Sequence, residues 1–129
     1  MDKIIRILIV DGYPIVNRVF KIQIELEPDL LVVGEGETGT SVVERVTQFE
    51  PDVILVDLDT PGEAAIANAR RLRAAYPHIP MLILSLDDDE SYRNLAAEIG
   101  AAGFVQKQGN SAMLVEAIRR AAAAAASAA

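Results

Sequence analysis

The stretch Pro51-Asp-Val-Ile-Leu-Val-Asp-Leu-Asp-Thr-Pro-Gly62 decides the fold. Within it, Val53–Val56 run without a polar interruption between a proline and an aspartate-rich turn. A solidly aliphatic run this short, bounded by turn residues, marks a strand covered on both faces, as in a parallel sheet. Outward in both directions the pattern repeats. Ile4–Val10, Leu30–Val33, Met81–Leu84 and Gly103–Val105 are further apolar runs, so in chain order the five are β1 to β5. Segments of helical spacing separate them. Ile15, Val19, Ile22 and Leu26 stand at i, i+4, i+7 and i+11, which predicts a first helix α1 with these as its core stripe, Pro14 in its first turn and Pro28 past its end. Val16, Phe20 and Ile24 widen its apolar arc; most of that is core packing, and the excess implies a dimer or partner surface. Thr40 or Ser41 to Phe49, Gly62 to Tyr76, Asp88 to Ile99 and Ser111 to Arg120 supply α2 to α5, bounded by capping residues, glycines and prolines.

Five β–α units in this order predict an α/β fold: a flavodoxin-like (βα)5, doubly wound around a parallel five-stranded sheet of order 2-1-3-4-5. Ligands of such sheets bind beyond the carboxyl ends of the strands, where β1 and β3 diverge. The length of 129 residues suits one domain, over residues 1–120, followed by an alanine-rich helical extension or linker over 121–129. With 12 Lys+Arg against 19 Asp+Glu the net charge is −7, which opposes nucleic-acid contact by this segment and attraction to an anionic membrane. The absence of cysteine excludes disulfides, thiolate metal sites and cysteine nucleophiles. The first apolar run is too short for a signal segment or a membrane span, so the expected compartment is the cytoplasm.

At the carboxyl ends of four strands stand Asp11, Asp57, Ser85 and Lys107. Each alone is an ordinary turn former, cap or solvated charge. Together, at the predicted switch point, two carboxylates, a hydroxyl and an ammonium suit a hard cation such as Mg²⁺ beside a phosphoryl group. An ionised carboxylate needs no general base to act as the nucleophile.

With these residues in view the chain resembles the receiver domains of two-component response regulators. The resemblance runs from Ile4 to about Arg120, and it leans to the subgroup that usually carries a C-terminal helix-turn-helix domain. It is carried by Ile7-Leu-Ile-Val-Asp-Gly-Tyr-Pro14, Pro51–Gly62, Ile83-Leu-Ser85 and Gly100-Ala-Ala-Gly-Phe-Val-Gln-Lys107. It implies that Asp57 accepts a phosphoryl group from a histidine kinase or phosphotransfer protein. Asp11 and Asp57 would hold Mg²⁺ with the backbone carbonyl of Asp59. Ser85 and Lys107 would bind the phosphoryl oxygens, and Phe104 would move with the hydroxyl to switch the α4-β5-α5 surface. Such a domain turns over no external substrate and is not an enzyme in the usual sense. A homodimer, and an output domain beyond Ala129, are the further partners implied.

Three departures from the family pattern stand out. Gly12 replaces the second of two adjacent acids, usually a direct metal contact. Leu86 is bulky where a small residue follows the hydroxyl, which narrows the phosphate entrance. Ala64-Ala65 replace an acid–glycine pair. The Asp59 side chain, two residues beyond the acceptor, is a candidate further ligand in place of the lost acid; its alternative is a solvated loop acid. Gly12 and Leu86 also sustain a second reading, a pseudo-receiver that works through protein contacts without phosphotransfer.

A rival of another class is dinucleotide binding. Gly34-Glu-Gly-Glu-Thr-Gly39 fits G-x-G-x-x-G between a strand and a helix, but Glu35 and Glu37 would repel a pyrophosphate. The lone histidine, His78, falls at the amino end of β4, away from the predicted cleft, and Asp87-Asp-Asp-Glu90 reads as the acidic first turn of α4.

Overall fold

Alternate residues of the aliphatic runs go to opposite sides of one sheet, and this is why the runs carry no polar partner positions. The computed structural model describes residues 3–10, 13–36, 41–59, 63–86, 90–107 and 111–128. Its strands are β1 (Ile5–Val10), β2 (Leu30–Gly36), β3 (Val53–Asp57), β4 (Met81–Ser85) and β5 (Gly103–Gln106). They form a parallel sheet in the order β2-β1-β3-β4-β5. The intervening helices are α1 (Pro14–Ile24), α2 (Ser41–Phe49), α3 (Glu63–Ala75), α4 (Glu90–Ile99) and α5 (Ser111–Ala128).

One face of the sheet buries Ile7, Ile9, Leu55, Leu82 and Leu84 beneath α1 and α5, which contribute Ile24, Leu114, Val115 and Ile118. The other buries Leu8, Val10, Ile54, Val56 and Ile83 beneath α2, α3 and α4, through Val42, Val46, Ala65, Leu72 and Ile99. Ala65, at one of the departing positions, is therefore a core contact of α3. Helix α4 closes on Gly100, at φ +89, where an added Cβ would stand 2.9 Å from Arg73 Nε. Only glycine takes this left-handed conformation without strain.

Helix α1 corrects the sequence reading. The stripe expected to face the core faces outward: Ile15, Val19, Ile22 and Leu26 are exposed, Ile22 at 61% and Leu26 at 74%. The buried face is the opposite one, with Asn17 and Ile24 inside and Phe20 packed against the core. The i, i+4, i+7 spacing shows that four residues share a face, but both faces of this helix carry apolar residues, and packing against β2 and α5 chooses between them. Replacing Ile22 by serine should accordingly change the unfolding free energy by no more than about 0.5 kcal/mol. Ile24→Val should cost roughly 0.5–1.5 kcal/mol. Urea denaturation of the two variants checks the assignment, and the reverse ranking would contradict it.

The glycine motif is also placed. Gly34 and Gly36 lie inside β2, paired with Leu8 and Val10 of β1, and the ring of Phe49 stands 2.8 Å from where a Cβ on Gly34 would be. The first two glycines thus serve a strand and a close helix packing, not a phosphate-binding turn; Gly39 lies outside the described residues. His78 is an exposed residue at the amino end of β4, in edge contact with Tyr76. Of the acidic run only Glu90 is described, in the first turn of α4.

Candidate functional site

Strand register assembles the site. Asp57 is the last residue of β3 and pairs with Leu84, while Ser85 is the last of β4 and pairs with Gln106. The ladder continues past the strand ends through Leu58 N–H to Leu84 O (2.9 Å) and Lys107 N–H to Ser85 O (2.8 Å). Asp57, Ser85 and Lys107 therefore emerge together at one edge of the sheet. Asp57 is 1% exposed, Ser85 fully buried, and the Lys107 side chain 4% exposed.

Lys107 Nζ donates to Asp57 Oδ2 in a short ion pair. The same ammonium lies 2.8 Å from Asp59 Oδ2. The Asp59 N–H donates to Asp57 Oδ1 at 2.9 Å, a local turn that folds the segment after β3 back on the acceptor. This brings the Asp59 side chain into the cleft. Ser85 Oγ donates to Asp59 Oδ1 at 3.0 Å, and the Leu86 N–H to Asp59 Oδ2 at 2.8 Å. Burial pushes the Asp59 carboxyl up, but the Lys107 ammonium, the Leu86 N–H and the Ser85 hydroxyl together outweigh it and hold the group below the usual 3.8. Asp59 is an anion at neutral pH. Two carboxylates thus share the Lys107 ammonium.

Of the other expected site residues, Phe104 stands on β5 opposite Ile83, half-buried against the α4 side of the sheet, with the Arg93 guanidinium 4.9 Å from its ring centre. Its side chain packs with the core on that face. Leu86 is half exposed at the mouth of the site. Asp11 and Gly12 lie outside the described residues. Among the described residues no three acids or histidines group as metal ligands. Asp57 and Asp59 are hard oxygen donors, the kind that Mg²⁺ takes, and so fit that ion in chemistry.

Three contributors were not legible from residue type. The Leu86 donor is a backbone group, so its side chain says nothing of it. Gln106 Nε2 donates to Leu86 O at 3.2 Å and so holds Leu86 to β5. Arg93 reaches Phe104 from α4, and no sequence spacing signals that contact.

Comparison with known proteins agrees with this fold. Residues 7–119 match the model of the response regulator receiver domain family. The transcriptional regulatory protein DegU of Brevibacillus brevis is 36% identical over 115 residues, covering 89% of this chain and 49% of that protein. An uncharacterized transcriptional regulatory protein of Bacillus subtilis, YxjL, is 34% identical over 121 residues, covering 94% of this chain and 55% of that protein. The chain spans about half the length of these curated relatives. Among solved structures, a LuxR-family two-component response regulator from Aurantimonas sp. SI85-9A1 superposes with a TM-score of 0.86 at 30% identity, covering 95% of this chain and 87% of that one. The response regulator domain of Thermotoga maritima CheB superposes with a TM-score of 0.81 at 27% identity, covering 94% of this chain and 98% of that one. No helix among the described residues is long and apolar enough to cross a membrane. A doubly wound sheet of this order, with an aspartate and a lysine paired at its carboxyl edge and family identity along most of the chain, makes this protein a member of the response regulator receiver domain family of two-component signalling.

Proposed function

We propose that Asp57 is the phosphoacceptor of this receiver domain, modified by a histidine kinase or phosphotransfer protein. The observation that carries the proposal is the buried Lys107–Asp57 ion pair at the tips of adjacent strands. A carboxylate oxygen of Asp57 attacks phosphorus, the new O–P bond forms as the donor's P–N bond breaks, and the histidine imidazole leaves. Lys107 neutralises charge on the transferred group and Ser85 donates a hydrogen bond to it, so both act where charge gathers. Asp11, Asp57 and the Asp59 carbonyl would hold Mg²⁺, whose chemistry when bound is to neutralise phosphoryl oxygens. The modified side chain carries about −2 at neutral pH where the carboxylate carried −1, takes Ser85 as a donor, and biases the α4-β5-α5 surface through Phe104 and its Arg93 neighbour. No external substrate is turned over.

The rest of the proposed organisation follows. Residues 1–120 form the receiver, and 121–129 are a helical extension or linker toward an output domain, which in relatives of twice this length belongs to proteins named as transcriptional regulators. The exposed stripe of α1 supports a homodimer or a partner helix there. The domain works in the cytoplasm. A second reading, an interaction module without phosphotransfer, is favoured by one observation: the bulky Leu86, 49% exposed, directly follows Ser85 where a small residue is the family pattern.

Incubation with acetyl phosphate and Mg²⁺ followed by intact mass separates the two. The switch predicts one added phosphate on the native chain and none on Asp57→Asn. An unmodified native chain would favour the module.

A further inference from the structure

The donors that a phosphoryl group on Asp57 would need are already taken by a carboxylate of this chain. Ser85 Oγ donates to Asp59 Oδ1 at 3.0 Å, the Leu86 N–H to Asp59 Oδ2 at 2.8 Å, and Lys107 Nζ stands 2.8 Å from the same oxygen. A solvated loop acid would make none of these contacts. Here the side chain is only 16% exposed, and the turn from the Asp59 N–H to Asp57 Oδ1 aims it inward. A hydroxyl, a backbone N–H and an ammonium converging on one anion is an oxyanion-binding set, strongest for a charged acceptor.

We propose that the Asp59 carboxylate is an internal placeholder for the phosphoryl group: it occupies Ser85, the Leu86 N–H and Lys107 in the unmodified protein and must be expelled for the modified state to form. The proposal rests on Asp57 being the phosphoacceptor. Two consequences follow from the charges. The phosphoryl group carries about −2 against one for the carboxylate, so it wins the donors once it is in place. Before that, the carboxylate is tethered beside the donors at a high effective concentration, and only molecules with Asp59 swung out are competent to load. The placeholder also keeps Ser85 and Leu86 drawn toward the site without phosphate. Unmodified and modified forms therefore differ less at Ser85 and Leu86 than they would with an empty donor set, which reduces the differential that can shift the output surface.

The test uses the full chain and its Asp59→Ala and Asp59→Asn variants, each verified as folded by circular dichroism. Initial loading by acetyl phosphate with Mg²⁺ is followed by intact mass, and the Leu86 amide by NMR without phosphate. Loading is expected to be about tenfold faster in Asp59→Ala, the gain set by the competent fraction, and less accelerated in Asp59→Asn, which keeps the shape but not the charge. The Leu86 amide is expected to shift upfield in Asp59→Ala as its charge-assisted acceptor is lost. Equal loading in the native chain and both variants, or an unmoved Leu86 amide, would overturn the placeholder while leaving Asp57 as acceptor. Slower loading of Asp59→Ala with weaker Mg²⁺ binding by titration would overturn it in favour of a metal-ligand role. Absence of phosphate from the native chain and both variants would instead overturn the Asp57 reading, and the placeholder with it.

Discussion

Lys107→Met is expected to destabilise the domain by about 3–5 kcal/mol, a large part of the roughly 5–15 kcal/mol that holds a domain folded. Methionine keeps most of the stem, so packing changes little and the loss is one of charge. The ammonium it removes is 4% exposed and serves Asp57, itself 1% exposed, together with Asp59. Without it Asp57 and Asp59 lose the ammonium they share, and the buried Asp57 carboxylate loses this ion pair. Breaking such a pair by deleting one partner is costly even where the intact pair contributes little. Asp57→Asn should cost markedly less, because Lys107 keeps Asp59 as its counter-ion and the amide can still accept from the Asp59 N–H. Urea unfolding with an unchanged slope gives both numbers. A Lys107→Met variant as stable as the native chain would mean that the ion pair is not desolvated as described.

The second large effect lies in the core. Leu55→Ala should cost about 2–5 kcal/mol, through lost transfer energy and a cavity that neighbours fill only partly. Leu55 is fully buried on the central strand β3, with β1 on one side and β4 on the other, beneath α1 and α5. Parallel strands held on both flanks cannot shift toward the void, so collapse is limited. For a chain of this size each kcal/mol lowers the melting temperature by roughly 4 °C, so the midpoint should fall by about 8–20 °C. A fall of only a degree or two would place Leu55 at a site able to repack.

What could be read in advance follows from which features reside in residue type. The strands were legible because Val53–Val56 and Met81–Leu84 are aliphatic on both faces, and only a sheet covered on two sides uses such runs. Their order followed from the alternation with helices. The end of β2 was not legible, because Glu35 and two glycines do not look like strand residues, yet pairing with β1 carries it to Gly36. On α1 the period was right and the direction wrong, since Phe20 and Ile24 offer an apolar face opposite Ile15 and Ile22 and spacing alone has no inside. That Asp57, Ser85 and Lys107 come together was legible because each stands at the carboxyl end of a strand, a place that topology makes common to all three. The direction of Asp59 was beyond residue type. It depends on a hydrogen bond from its own backbone to Asp57, and its partners include a backbone N–H of Leu86.

The claim on which the account turns is that one particular carboxylate is modified. Acyl phosphates are reduced by borohydride, so acetyl-phosphate-treated protein can be trapped and the altered residue located by peptide mapping. Reduction at position 57 alone is the predicted result. Reduction at Asp59 or another carboxylate, with Asp57 intact, would contradict it.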